Sequence, residues 1–198
     1  MQRRSTLFIV LTLSLLIATA GCSLLPDLTI HDPVRRDNLI VNPGFEELDN
    51  NGRPVGWRIY VPRGHADGAK ISPEARSGDH AALIDVAAAL PWVVGEDVRQ
   101  NFEQKISAHS DFVLPGKKYR FSAYYRTEGN PRARLTVQIP GLDHPTTGNL
   151  PPAEDWTYVE LIFEWPPPDK SVAAGLWVWN ASEGKVWFDD VELVLIED

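Results

Sequence analysis

Two acidic pairs are placed where they could do chemistry: Glu46-Glu47, directly after Phe45, and Asp189-Asp190, directly after Phe188. Carboxylates brought together serve acid–base or nucleophilic catalysis, or bind a hard cation. Glycoside hydrolysis would need two of them at a set separation, one with a raised pKa, and nothing but Glu46 and Asp189 marks such a pair. The five histidines (His31, His65, His80, His109 and His144) are scattered without metal-ligand spacing. Neither a Gly-x-Ser-x-Gly element nor a glycine-rich phosphate loop is present. The expectation is a chain without catalysis.

Cys22 is the only cysteine, which rules out an internal disulfide and asks for another use of the thiol. Arg3 and Arg4 precede an apolar run, Leu7 to Ala18, too short to span a bilayer as a stable helix. Small residues Thr19, Ala20 and Gly21 then lead into Cys22. Residues 1–21 read as an export signal, and Ala18-Thr19-Ala20-Gly21-Cys22 resembles a bacterial lipobox, with Thr19 where an aliphatic residue is usual. That resemblance implies a lipidated Cys22, an exported lipoprotein held on a membrane, and an outward-facing or periplasmic domain. Each buried CH₂ of such a lipid contributes about 0.8 kcal/mol, so several chains anchor without a spanning helix. Ser23 after the cysteine points to an outer membrane where the cell has one.

The whole chain carries 19 basic and 27 acidic residues, a balance of −8. Removing the signal would take two arginines and no acid, leaving −10. Such a surface repels phosphate backbones, and no basic cluster offsets it, so nucleic acid is excluded as a partner.

The elements that must position these residues are strands. Residues 22–37 contain two prolines and no sustained period, a tether spanning roughly 50 Å if extended at about 3.3 Å per residue. From residue 38 to 198, short alternating segments are separated by turn signals such as Asp49-Asn50-Asn51-Gly52 and Leu114-Pro115-Gly116. Strands are expected at Asn38–Val41, Val55–Val61, Ala81–Val86, Arg99–Ile106, Lys118–Arg126, Ala133–Ile139, Trp156–Trp165, Ala173–Trp179 and Lys185–Leu195. Pro62 to Gly78 reads as an irregular surface excursion. The first and last strands are expected to pair, bringing their acids together. No amphipathic helix is evident. The fold expected is all-β: an antiparallel β-sandwich, most simply a jelly roll.

The ordered set Asn38-Leu39-Ile40-Val41-Asn42-Pro43-Gly44-Phe45-Glu46, Gly56-Trp57, Ser77-Gly78-Asp79-His80-Ala81, Gln104, Leu114-Pro115-Gly116-Lys117-Lys118-Tyr119, Asp155-Trp156 and Gly184-Lys185-Val186-Trp187-Phe188-Asp189-Asp190 resembles the CenC-like carbohydrate-binding modules, galactose-binding-domain-like jelly rolls. The likeness extends from about Asn38 to Leu195. It implies glycan binding without chemistry, Trp57 and Trp187 as structural aromatics, and a structural calcium. The positions matching the calcium ligands are Glu46 and Asp189, with backbone carbonyls near Ser77 and Gly78. Asp190 is an adjacent candidate, though strand alternation would send it to the opposite face.

A sugar is recognised by aromatic rings against its C–H faces and by polar groups on its hydroxyls. Alternation exposes Arg120 and Tyr124 in one strand, Arg134 and Gln138 in the next, and Tyr158 and Glu160 in a third. Sharing one sheet, they would form one polar-aromatic surface. Trp177 and Trp179 share a face opposite Leu176 and Val178, and alternation alone does not say which pair is inside. Trp92, between Pro91 and Gly95, is the candidate stacking residue of a loop tip. A jelly roll serving as a structural or protein-interaction lipoprotein, without sugar binding, is the other reading.

Overall fold

The computed structural model describes residues 38–61, 68–86, 100–107, 113–139, 141–166 and 173–196. Cys22, the tether and Trp92 lie outside these described residues. Among the described residues there are nine strands: β1 Arg58–Tyr60, β2 Ala69–Ser72, β3 Ala81–Val86, β4 Gln100–Ser107, β5 Lys118–Glu128, β6 Ala133–Gln138, β7 Thr157–Glu164, β8 Ala173–Asn180 and β9 Gly184–Leu195. They form two antiparallel sheets, one of four strands in the order β1-β4-β8-β6 and one of five in the order β2-β3-β9-β5-β7. The fold is the expected β-sandwich jelly roll, and no helix occurs among the described residues.

The core follows from alternation on the two inner faces. Tyr119, Phe121, Ala123 and Tyr125 of β5 meet Leu135 and Val137 of β6 and Leu176 and Val178 of β8 in one buried cluster. Leu176 and Val178 therefore face inward, and Trp177 and Trp179 face outward. Burying two aliphatic side chains here contributes about 3–6 kcal/mol.

Three expectations change. β2 lies inside the stretch read as an irregular excursion: Ala69–Ser72 pairs with Ala81–Ile84 of β3. Its four residues are too short to show a period. The segment from Asn38 is not a regular strand, although it does run against β9. Leu39 N donates to Leu193 O at 2.8 Å, and Asn38 bonds the main chain of Val191 and Leu193 through its side chain. Beyond it, Asn42 (φ 54°) and Phe45 (φ 61°) adopt left-handed backbone, a turn that no ladder tolerates. Asn42 stabilises that turn by bonding Glu47 and Val55 through its amide. The turn drives Phe45 into full burial, 4.9 Å from Trp57 and 5.6 Å from Phe102, ring centre to ring centre.

The third change concerns β9. Its pairing with β5 slips between Ser122 and Tyr124, and Asp190 at φ 48° marks the bulge. An extra residue in one strand resets the alternation. Asp190 consequently emerges on the same side as Asp189, not on the opposite face.

Candidate functional site

The residues expected to form one surface are divided between two. β6 belongs to the four-stranded sheet, while β5 and β7 belong to the other. Arg120, Tyr124, Tyr158 and Glu160 therefore lie on the outer face of the five-stranded sheet, and Arg134 and Gln138 lie with Trp177 and Trp179 on the far side of the sandwich. Partners of a strand are not encoded in its own periodicity, so alternation identified the wet residues and misassigned their neighbours.

The five-stranded face is occupied with itself. The Arg76 guanidinium stacks over Tyr124, 3.5 Å from the ring centre, and pairs with Asp190 at 2.6 Å. Tyr124 in turn meets the edge of Tyr158 at 5.4 Å, and the Tyr158 hydroxyl donates to Glu160 at 3.1 Å. Arg126 covers Trp187, 4.4 Å from its ring centre, and pairs with Glu74. Arg120 lies 3.8 Å from Glu192. Each of these guanidiniums already stands against a carboxylate, while Arg120 Nε, Arg126 Nε and Ser122 Oγ are buried without a hydrogen-bond partner.

At its end sits the acidic cluster. Asp189 is fully buried. Its Oδ2 accepts the N–H groups of Arg76 and Ser77 at 2.8 and 3.1 Å, and its Oδ1 accepts that of Asp190 at 2.7 Å. Loss of hydration raises its pKa above the ordinary aspartate value, and the N–H donors only partly offset this. Glu46 accepts the N–H groups of Asp79 and His80 and faces His80 Nδ1 at 3.1 Å. Gly78, at φ 64°, leaves the room this requires: a Cβ there would stand 2.2 Å from Glu46 Oε1. Gly44 lies between the two carboxylates, within 4 Å of Asp189 Oδ1 and Glu46 Oε1 by the position of a Cβ.

Two carboxylate oxygens converge at this glycine; Asp189 Oδ1 retains a lone-pair site beyond its one N–H contact, whereas Glu46 Oε1 already accepts from both Asp79 and His80. Among the described residues no third carboxylate, histidine or cysteine joins them. Asp190 is held by Arg76 and by Ser77 Oγ at 2.7 Å. Ser77 meets Asp189 through its N–H.

The outer face of the four-stranded sheet is different. Register aligns Arg58, Glu103, Trp177 and Thr136 in one row across it. Tyr60, Asn101, Trp179 and Arg134 form the next row, and Lys105, Gly175 and Gln138 a third. One end is closed. Trp179 Nε1 donates to Thr136 Oγ1 at 2.8 Å, Arg134 stacks 5.2 Å above the same indole, and Asn149 holds the guanidinium at 2.8 Å.

The other end is open. A hollow of about 340 Å³ is lined by Arg58, Tyr60, Asn101, Glu103, Lys105, Gln138 and Trp177, within the range that holds small ligands. An adjoining one shares Arg58, Glu103 and Lys105 and extends to Gly56 and Trp57. Gly175 forms the floor: a Cβ would stand 2.8 Å from Trp177 Nε1 and 2.9 Å from Glu103 Oε1. Asn101 Nδ2 and Trp177 Nε1 are buried donors without a hydrogen-bond partner. Such groups cost about 1–3 kcal/mol each when left unmet, and both atoms are covered from solvent, so a ligand reaches them only after neighbouring side chains shift. Sequence reasoning found Gln138 and Trp177 but missed Arg58, Tyr60, Asn101, Glu103 and Lys105. The signal was the alternation of Arg58-Ile59-Tyr60 and of Asn101-Phe102-Glu103-Gln104-Lys105 about inward Phe102 and Gln104. Buried Gln104 is itself engaged, bonding both main-chain groups of Val41.

No protein-family model and no curated protein matches this chain. Solved structures do share its fold. A cyclase from Fischerella sp. TAU, in complex with 4-(1H-indol-3-yl)butan-2-one, superposes with a TM-score of 0.59 at 20% identity, covering 80% of this chain and 96% of that one. TmCBM61 in complex with β-1,4-galactotriose gives 0.51 at 17% identity, covering 80% and 99%. A family 16 carbohydrate-binding module gives 0.50 at 22%, covering 79% and 99%. The chain thus has the jelly-roll sandwich of carbohydrate-binding modules, a frame that also occurs in a cyclase.

Proposed function

We propose that this protein is a non-catalytic glycan-binding module whose site is the open end of the four-stranded sheet's outer face. The observation that carries the reading is an outward indole, Trp177, beside a hollow lined by Asn101, Glu103 and Gln138. A flat aromatic for the C–H face of a sugar, beside a carboxylate and amides for its hydroxyls, is what carbohydrate recognition requires. Carbohydrate-binding modules with the same sandwich support it, one of them in complex with a galactotriose. In this reading the ligand residues are Trp177, Asn101, Glu103 and Gln138, with Tyr60 at the rim. Arg120, Tyr124, Tyr158 and Glu160 act in the packing of the opposite sheet.

The proposal includes a lipid on Cys22, a tether over residues 22–37 and a membrane-anchored, exported setting, supported by the lipobox resemblance. It also includes a structural calcium held by Glu46 and Asp189, which would neutralise their mutual repulsion and tie the segment at Asn38 to β9.

Binding of the full chain to a glycan array tests the function. Retention of one glycan class, lost in Trp177→Ala with the melting temperature held, is the expected result. A silent array favours the protein-interaction reading instead.

A further inference from the structure

The rim of the same hollow carries charge that a neutral sugar does not use. Arg58 and Lys105 are exposed at its mouth. Among the described residues neither has an ion-pair partner, a state they share with Arg53, Lys70, Lys117, Arg132 and Arg134, and they are the two such cations that line this hollow. The chain as a whole is at −8, so two unpaired cations beside one hollow run against its general balance.

Glu103 does not cancel them. It is 9% exposed, and its Oε1 lies against the Gly175 floor. Below the rim, that carboxylate is placed to accept a hydroxyl. Around it Arg58, Lys105, the Tyr60 hydroxyl and the Gln138 amide add donors to the lining. Donors thus outnumber acceptors in the hollow, and the permanently charged ones stand at its mouth.

We infer that the sugar bound here is acidic, a uronic-acid residue whose ring stacks on Trp177 and whose carboxylate is held by Arg58 and Lys105. This rests on the glycan reading above and specifies the class of sugar. Charge-assisted hydrogen bonds are stronger than neutral ones, and a guanidinium takes a carboxylate through two parallel contacts. The remaining negative surface does not forbid it, because salt screens charges beyond about 8 Å at physiological ionic strength.

The test uses the full chain and three uronate polymers, polygalacturonate, polymannuronate and hyaluronate, each beside its carboxyl-reduced neutral form. Affinity is read by the retardation of the protein in gels containing each polymer, with a neutral oligosaccharide array alongside. The expected result is retardation by at least one uronate polymer, about tenfold weaker with its reduced form. An Arg58→Gln, Lys105→Ala double variant should lose the same factor toward the acidic polymer only. Both side chains are exposed, and a melting curve confirms that the variant is folded. Equal or tighter binding of the neutral forms overturns the inference and leaves glycan binding standing. So does a double variant that binds the uronate polymer unchanged. No retardation by any polymer, together with an empty array, overturns the glycan reading itself and this inference with it.

Discussion

Glu46 and Asp189 hold opposite halves of one loop: Asp189 accepts the N–H groups of Arg76 and Ser77, and Glu46 accepts those of Asp79 and His80. Their burial differs, and so should their worth. Asp189→Ala would strand three part-buried N–H groups, at a cost of about 3 kcal/mol. For a domain of this size that lowers the melting temperature by roughly 6–12 °C. Glu46→Ala leaves N–H groups that water can reach and should cost about 1 kcal/mol. Thermal melts of the two variants check the order, and equal losses would contradict it.

Asp189 also predicts a pH dependence. Burial is the main cause of its raised pKa, the charge of Asp190 adds to it, and N–H contacts from Ser77, Arg76 and Asp190 oppose it. Between the ordinary value of 3.8 and the raised one, the folded chain keeps a proton that the unfolded chain has lost. The contribution is therefore complete below 3.8 and is lost as pH rises through the folded value. In a chelator, the stability of the protein relative to Asp189→Asn should fall as pH is raised from about 3.5 to about 7. Urea titrations at several pH values measure this, and a difference that stays flat or grows refutes it.

Calcium should act in the opposite sense. A cation on the Glu46 and Asp189 oxygens stabilises their charged forms. Added calcium at neutral pH should release heat and raise the melting temperature, and Asp189→Asn should abolish both effects. Calorimetry that records no heat, with an unchanged melt, removes the metal from the account.

How far the chain could be read depended on the range of the interaction. Period-two alternation is local, so β3, β5, β6 and β9 and the inward set Tyr119, Phe121, Leu135 and Val137 were legible. Sheet membership is not local. β6 follows β5 directly yet pairs with β8 in the other sheet, which separates Arg134 and Gln138 from Tyr124 and Tyr158. The orientation of Trp177 and Trp179 depended on which face of β8 met the second sheet. Asp190 was misplaced because a bulge is a property of two strands. Phe45 as a core anchor and Glu46 and Asp189 as neighbours were anticipated, since both ends of the domain meet at β9.

The separation of the two faces yields a direct comparison. Trp177→Ala removes the outward indole of the open hollow and should reduce glycan affinity by about tenfold to a hundredfold, as loss of one aromatic stacking contact does. Tyr124→Ala, beneath Arg76 on the other sheet, should leave affinity unchanged while weakening the packing with Tyr158. Isothermal titration of both variants with the glycan retained on the array decides between the faces. Loss of affinity in Tyr124→Ala alone would relocate the site to the five-stranded sheet.

Gly175 offers a test that removes no ligand-contacting side chain. It occupies the floor between Lys105 and Gln138, and Glu103 Oε1 and Trp177 Nε1 both lie against the space its Cβ would fill. An added methyl would stand under 3 Å from both atoms, closer than carbon tolerates, so one of the two side chains must move. The indole is the freer of the two, being partly exposed where Glu103 is buried. Strand propensity slightly favours alanine over glycine, so the backbone has no reason to break. Gly175→Ala should keep its melting temperature within a few degrees, about 1 kcal/mol of stability either way, and should lose affinity nearly as far as Trp177→Ala. The near-ultraviolet circular dichroism of the displaced indole should change at the same time. A variant that binds normally with an altered indole signal would show that the stacking surface is not Trp177.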